Sequence, residues 1–244
     1  MGFTILVAFL ASWLAYVIGI FYAYPLLDYI APGESYLLFI GLTNLLLVLG
    51  IPFIALVLLI TRLVFSTRVS APWRAGLGAF WILNLLCFGI IGSIVGRDFA
   101  VRASHLDTAD IRLSSSDTLQ LKPKSIEDAV QWNLFEGGLL IDEERLLIDN
   151  VRLYIRKSPD SSYHIRERLF ANGGHLSSAE RRAAQLEYPL EIEEQKLFVP
   201  SYFIIQKGDK WRAQAVEVSV LIPEGGYVRF DEELSRYMLW SVDQ

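Results

Sequence analysis

The chain has three histidines, His105, His164 and His175, which could carry proton transfer or bind a metal, but their spacing suits neither task. A helix presents two imidazoles to one metal when they stand about four residues apart, and no pair here is so placed. They read as surface residues. Carboxylates are grouped at Asp142-Glu143-Glu144, at Glu191, Glu193 and Glu194, and at Asp231-Glu232-Glu233. Each group lies beside turn signals in strand-rich sequence. A catalytic carboxylate needs burial or a charge partner to move its pKa, so these read as solvated loop faces. The single cysteine, Cys87, lies inside an apolar run, which rules out an intramolecular disulfide. A GxSxG elbow and a phosphate-cradling glycine loop are missing, and the pairs Gly137-Gly138, Gly173-Gly174 and Gly225-Gly226 read as turn residues needing positive φ. The expectation is a non-enzymatic protein with no catalytic, cofactor-binding or metal site. What remains is a basic group, Arg166, Arg168, Arg181 and Arg182, which offers a partner surface or an anionic headgroup contact against the plainer reading of a solvated face.

The elements that must hold these residues fall into two populations. The chain is 244 residues long, 53% hydrophobic and 20% charged, too apolar for an ordinary soluble domain and too charged for an all-membrane one. Before Arg97 the only charged residues are Asp28, Glu34, Arg62, Arg68 and Arg74, so the acidic excess behind the net charge of −5 lies in the C-terminal part. Scattered arginines in an acidic background give no footprint for nucleic acid. No small-molecule substrate is evident.

A bilayer core about 30 Å thick needs roughly 20 apolar residues in a helix. The runs Gly2 to Leu27, Ser35 to Thr61 and Ala75 to Gly96 meet that length without a charge. They predict a transmembrane domain over residues 1–100 with helices at about 3–27, 35–64 and 75–96. The first run has no basic n-region and is followed directly by a second, so it reads as a retained helix, not a cleaved signal. Pro52 removes a backbone donor in mid-helix and predicts a local kink. Gly41 and Asn44, and Gly89, Gly92, Ser93 and Gly96, place small or polar residues at packing intervals, with Asn44 and Asn84 expected to hydrogen-bond between helices. With no ionisable group at depth, the helices read as an anchor and not as a conducting path.

The loop after the second helix carries Arg62, Arg68 and Arg74 and no acid, whereas the loop after the first carries Asp28 and Glu34 and no base. The excess of arginine predicts a cytoplasmic arginine loop, a cytoplasmic N-terminus and an external, periplasmic C-terminal domain.

Residues 101–118 are polar without periodicity and read as a linker, leaving 119–244 as a β-rich soluble domain. Alternation is clear at Leu119 and Leu121, at Val151, Leu153 and Ile155, and at Val216, Val218, Val220 and Ile222, with turn chemistry between the runs that predicts hairpin connections. Ser177 to Glu180 has the form of a capping box and predicts a short helix over about Ser178 to Glu187. The fold class is therefore membrane α plus soluble β: a three-helix bundle followed by a mostly β domain with one short helix.

Several stretches together resemble a known family. LGIPFIALVLLITRLVF (Leu49 to Phe65), PWRAGLGAFWILNLL (Pro72 to Leu86) and RDFA (Arg97 to Ala100) look like multi-span phage shock protein C (PspC) domain proteins of Bacteroidetes. VRLYIRKSPDSSYHI, SSAERRAAQLEYPLEIEEQKLFVPSYFI and KGDKWRAQAVEVSVLIPEGGYVRFDEEL are similar to the β-rich toastrack domain that those proteins carry. The resemblance implies a stack of β-turn units, sandwich-like or a short β-helix, and an envelope-stress or signalling component of the bacterial inner membrane. It would act by contacts with other membrane or envelope proteins, or by self-association, and a scaffolding or accessory subunit of a transport or secretion complex is the alternative. The glycine-rich segment that gives the family its name has no counterpart before the first apolar run, so contacts attributed to that segment are not carried over.

Overall fold

The computed structural model describes residues 2–30, 35–65, 70–111, 118–124, 139–141 and 145–236. They divide into two compact units, Met1–Arg97 and Asp98–Gln244. Arg68, Glu34, Asp142-Glu143-Glu144 and Gly137-Gly138 lie outside the described residues.

The first unit consists of helices α1 (Gly2–Ile30), α2 (Ser35–Phe65) and α3 (Ala71–Arg97). Two are long and apolar enough to cross a membrane, over Leu38–Arg62 and Ala71–Arg97, while the apolar stretch described in α1 is shorter, Ala11–Tyr22. A core helix of a soluble protein would bury such a surface, yet Leu83 is 58% and Ile90 62% exposed. Apolar area of that extent belongs against lipid. Arg62 and Arg74, placed in a loop by the sequence reading, are both helical, in the last turn of α2 and the first turn of α3.

Pro52 sits inside an unbroken α2. Its ring nitrogen cannot donate to the Val48 carbonyl one turn earlier, and in lipid an orphaned carbonyl costs several kcal/mol, on the order of a lost buried bond. The Nε1 of Trp81 on α3 donates to that oxygen at 2.8 Å. On the other side Trp13 of α1 covers Gly50, where a Cβ would come within 2.8 Å of the indole, and stacks at 5.1 Å on Phe53.

Two packing expectations are corrected. The amides of Asn44 and Asn84 donate to the carbonyls of Ile40 and Phe80 on their own helices, because the carbonyl one turn back is the nearest acceptor. Gly41 does meet Ile91 of α3, at 3.7 Å from a built Cβ, but Gly89, Gly92 and Gly96 face open space among the described residues and form no seam.

The second unit begins at once with a strand. Val101–Ile111 is β1, eleven residues paired along their whole length with β6 (Tyr163–Gly173), so the predicted linker is in its first part a sheet edge. Periodicity is weak there because an edge strand exposes polar side chains on both faces. Further strands are β2 (Thr118–Lys124), β3 (Leu139–Ile141), β4 (Arg145–Ile148), β5 (Val151–Lys157), β7 (Glu191–Glu193), β8 (Lys196–Pro200), β9 (Phe203–Gln206), β10 (Ala215–Ile222) and β11 (Tyr227–Phe230). The sheet orders are β1-β6-β10-β5, β11-β2-β8-β7 and β3-β4-β9.

Hairpins are few. Of the described strands only β3 with β4 and β7 with β8 pair with their sequence neighbours, whereas β5 and β10, β11 and β2, and β2 and β8 run parallel. The turns after β4, β8, β9 and β10 carry the chain from one sheet to another instead of folding it back. The core lies on the inward faces: Leu119, Leu121, Leu153, Ile165, Leu197, Val199, Val216, Val218 and Val220 are all 0–1% exposed.

Helix α4 (Leu176–Ala184) starts earlier than predicted. Its N-cap is His175, whose N–H donates to Ser178 Oγ at 3.1 Å while that hydroxyl donates to the His175 carbonyl at 2.7 Å. The early start depends on Gly173, where a Cβ would fall 2.6 Å from the Ala179 nitrogen. Gly173 is thus needed for close approach and not for positive φ, which among the described glycines is found at Gly208 and Gly225. Gly226 likewise leaves room, for Tyr163 Oη, which accepts from the Tyr227 N–H at 2.9 Å and donates to the Tyr227 carbonyl at 3.2 Å.

Candidate functional site

The alternation of β6 sends Tyr163, Ile165, Leu169 and Ala171 inward and leaves Arg166 and Arg168 outward and exposed. Register then decides which residues share that outer face. Across the four strands one row reads Leu106, Arg168, Glu217, Arg152, and the next Thr108, Arg166, Ser219, Tyr154. Arg156 lies a row further on, opposite Leu221, and Arg102 lies toward the start of β1. The predicted pair therefore gains three arginines drawn from β1 and β5, with Glu217 as the acid between them.

Two of these guanidiniums lie over aromatic rings of the same sheet. Arg102 stands 4.5 Å from the centre of the Phe170 ring and Arg156 5.1 Å from that of Tyr154. Such stacking holds the charge flat on the sheet and leaves its hydrogen-bond donors turned to solvent. Like charges in neighbouring rows repel by a few tenths of a kcal/mol, about 0.2–1 per pair, and Glu217, directly opposite both Arg168 and Arg152, offsets part of that cost. A flat arginine-rich face on an acidic domain can recognise carboxylates or phosphates.

Arg181 and Arg182 do not join that face. Arg181 is exposed on α4. Arg182 turns inward, donating to the Asn172 carbonyl at 3.1 Å and to Asp98 at 3.1 Å. Asp98 also receives Nε of Arg212 at 3.0 Å, and Arg212 is fully buried. Burial draws the Arg212 guanidinium down from the ordinary arginine range, and Asp98 opposes that shift. The Phe99 ring lies 5.2 Å from the same guanidinium and meets Trp211 edge-on at 5.9 Å, while Asn172 Nδ2 donates to the Phe99 carbonyl. These partners tie Asp98 and Phe99, which directly follow α3 in the chain, into the β domain. Sequence reading missed them because Asp98 and Arg212 are separated by 114 positions.

An acidic pair sits on the inner side. Glu167 is directly opposite Asp107 of β1 and is pushed up to about 7, first by burial and then by the Asp107 charge. His164 sits against Asp160 at 2.8 Å, and that bond, with the Ser162 N–H, holds the Asp160 carboxyl below the usual carboxylate range. Among the described residues no group of three or more His, Cys, Asp or Glu side chains is placed to hold a metal ion.

Residues 141–242 match the family model of the ToastRack domain found in some PspC proteins. The C-terminal half of the chain is thus similar to a PspC-associated ToastRack domain. The ToastRack match begins after β1 and β2, although both strands are integral to the sheets, so the compact β unit reaches back to Asp98. No curated protein matches the chain. A solved structure from Parabacteroides merdae, described provisionally as an adhesin, aligns at 11% identity with a TM-score of 0.24. That alignment covers 52% of this chain and only 33% of the other, and carries no argument about fold or function.

Proposed function

We propose that this is a non-enzymatic, multi-pass protein of the bacterial inner membrane, of the PspC-like envelope-stress or signalling type, whose ToastRack-like domain acts by docking an acidic partner. The observation that carries this reading is the outer face of β1-β6-β10-β5, where Arg102, Arg152, Arg156, Arg166 and Arg168 converge from three strands. In this reading all three helices span the membrane, with the arginine ends of α2 and α3 cytoplasmic and the β domain periplasmic, as the excess of arginine over acid there favours.

Purification of the full chain in mild detergent, followed by identification of co-purifying membrane and envelope proteins, tests the docking. Arg166→Glu with Arg168→Glu should abolish a specific partner while leaving the chain folded. An unchanged partner set would remove the basic face from consideration, and a set containing only background would sink the proposal. Topology is tested separately by labelling cysteines placed at Thr67 and Asp209 on intact cells with an impermeant reagent, where only the second should react.

A further inference from the structure

Helices α2 and α3 enclose a groove of about 660 Å³ that runs from Pro52 to Arg62 on one side and from Trp81 to Arg74 on the other. That volume falls within the range of about 300–1,000 Å³ typical of sites for small molecules. Ten helical residues separate Pro52 from Arg62, or about 15 Å at helical rise, which is half of a hydrocarbon core about 30 Å thick. The groove is therefore one leaflet deep.

Its walls sort by chemistry along that length. Ala55 and Leu59 line the deep part with Pro52, and Arg62, Arg74 and Trp73 line the other end, with no acidic residue among the lining. Trp73 is 73% exposed, as an aromatic at a membrane interface would be. Among the described residues neither arginine makes an ion pair. Gly78 lines the groove and faces open space, since a built Cβ there would meet nothing within 4 Å.

We propose that this groove is a binding site for one anionic phospholipid, its phosphate held by Arg62 and Arg74 and one acyl chain lying along Leu59 toward Pro52. The inference rests on the reading that α2 and α3 lie in a bilayer. Two arginines at the mouth select for charge, and an apolar slot one leaflet deep selects for an acyl chain over a free phosphate.

The full chain, stripped of lipid in mild detergent and offered equal amounts of phosphatidylglycerol and phosphatidylcholine, should retain one phosphatidylglycerol by native mass spectrometry. Arg62→Gln and Arg74→Gln should each weaken that retention about fivefold. Gly78→Phe should remove it with both arginines in place, since the ring fills the groove without displacing backbone. Equal retention of the two lipids, or undiminished phosphatidylglycerol in the Arg62→Gln/Arg74→Gln double variant, would overturn the site. Release of the chain from membranes by alkaline carbonate would overturn the bilayer reading itself, before any lipid is offered.

Discussion

Trp81 Nε1 donates to the Val48 carbonyl oxygen at 2.8 Å, and Val48 is the residue whose helical partner Pro52 removes. One helix thus repairs the backbone of its neighbour. Trp81→Phe should destabilise the helical unit by about 1–3 kcal/mol, the cost of leaving a buried acceptor unpaired. In a Pro52→Ala background the loss should shrink, because the restored N–H supplies the missing donor. A double-mutant cycle on unfolding in detergent measures the coupling, and additive effects would show that the bond contributes nothing specific to the proline.

Removing Asp98 leaves the buried Arg212 guanidinium without its carboxylate. Asp98→Ala should cost about 3–5 kcal/mol, as for other broken buried pairs, whereas Arg182→Ala should cost less because its side chain is 28% exposed. Chemical unfolding of the two variants, followed by tryptophan fluorescence, should rank them in that order.

Gly173 is held to its identity by the approach of α4. Gly173→Ala brings a methyl group against the Ala179 backbone, which cannot rotate away, and should cost about 1–3 kcal/mol. Hydrogen exchange should quicken first in α4 and at the end of β6 that it covers. Equal protection in the variant would mean that the contact is slack.

Glu167 provides a pH signature. Its folded pKa, raised to about 7 from 4.5, means that the folded chain binds more protons than the unfolded one between those values, so stability should fall as pH rises through that window. After allowance for solvent screening the effect should be about 1 kcal/mol. Glu167→Gln should flatten the profile and stabilise the protein at pH 8, where parent and variant differ most. A variant profile that keeps the parent slope between pH 5 and 7 would assign the titration to another group.

The sequence disclosed most where information is local. The apolar lengths of α2 and α3 and the alternation of Val216, Val218 and Val220 are properties of single segments, and both appear in the structure. The start of α4 was displaced because Ser178 bonds back to His175, while Gly173 admits the helix earlier than the serine pattern implied. Residues 101–111 looked structureless because His105, Asp107 and Thr108 interrupt any apolar period, and only pairing with β6 makes them a strand. The basic face was half visible: Arg166 and Arg168 share a strand, but Arg152, Arg156 and Arg102 reach them through register. Arg212 was hidden altogether in KGDKWRAQ, a stretch that reads as a solvated turn until Asp98 is set beside it.

The strand order β1-β6-β10-β5 also dictates a timetable. During synthesis β1 is made first, directly after α3, yet its partner β6 comes more than fifty residues later and β5 can join the sheet only once β10 exists. The nascent β1 therefore waits as an unpaired edge while most of the domain is still being translated. High sequence separation of this kind slows folding and exposes intermediates to wrong pairing. A pulse-chase with protease should find the β domain protected in a single late step, after β10 emerges, with no earlier resistant fragment.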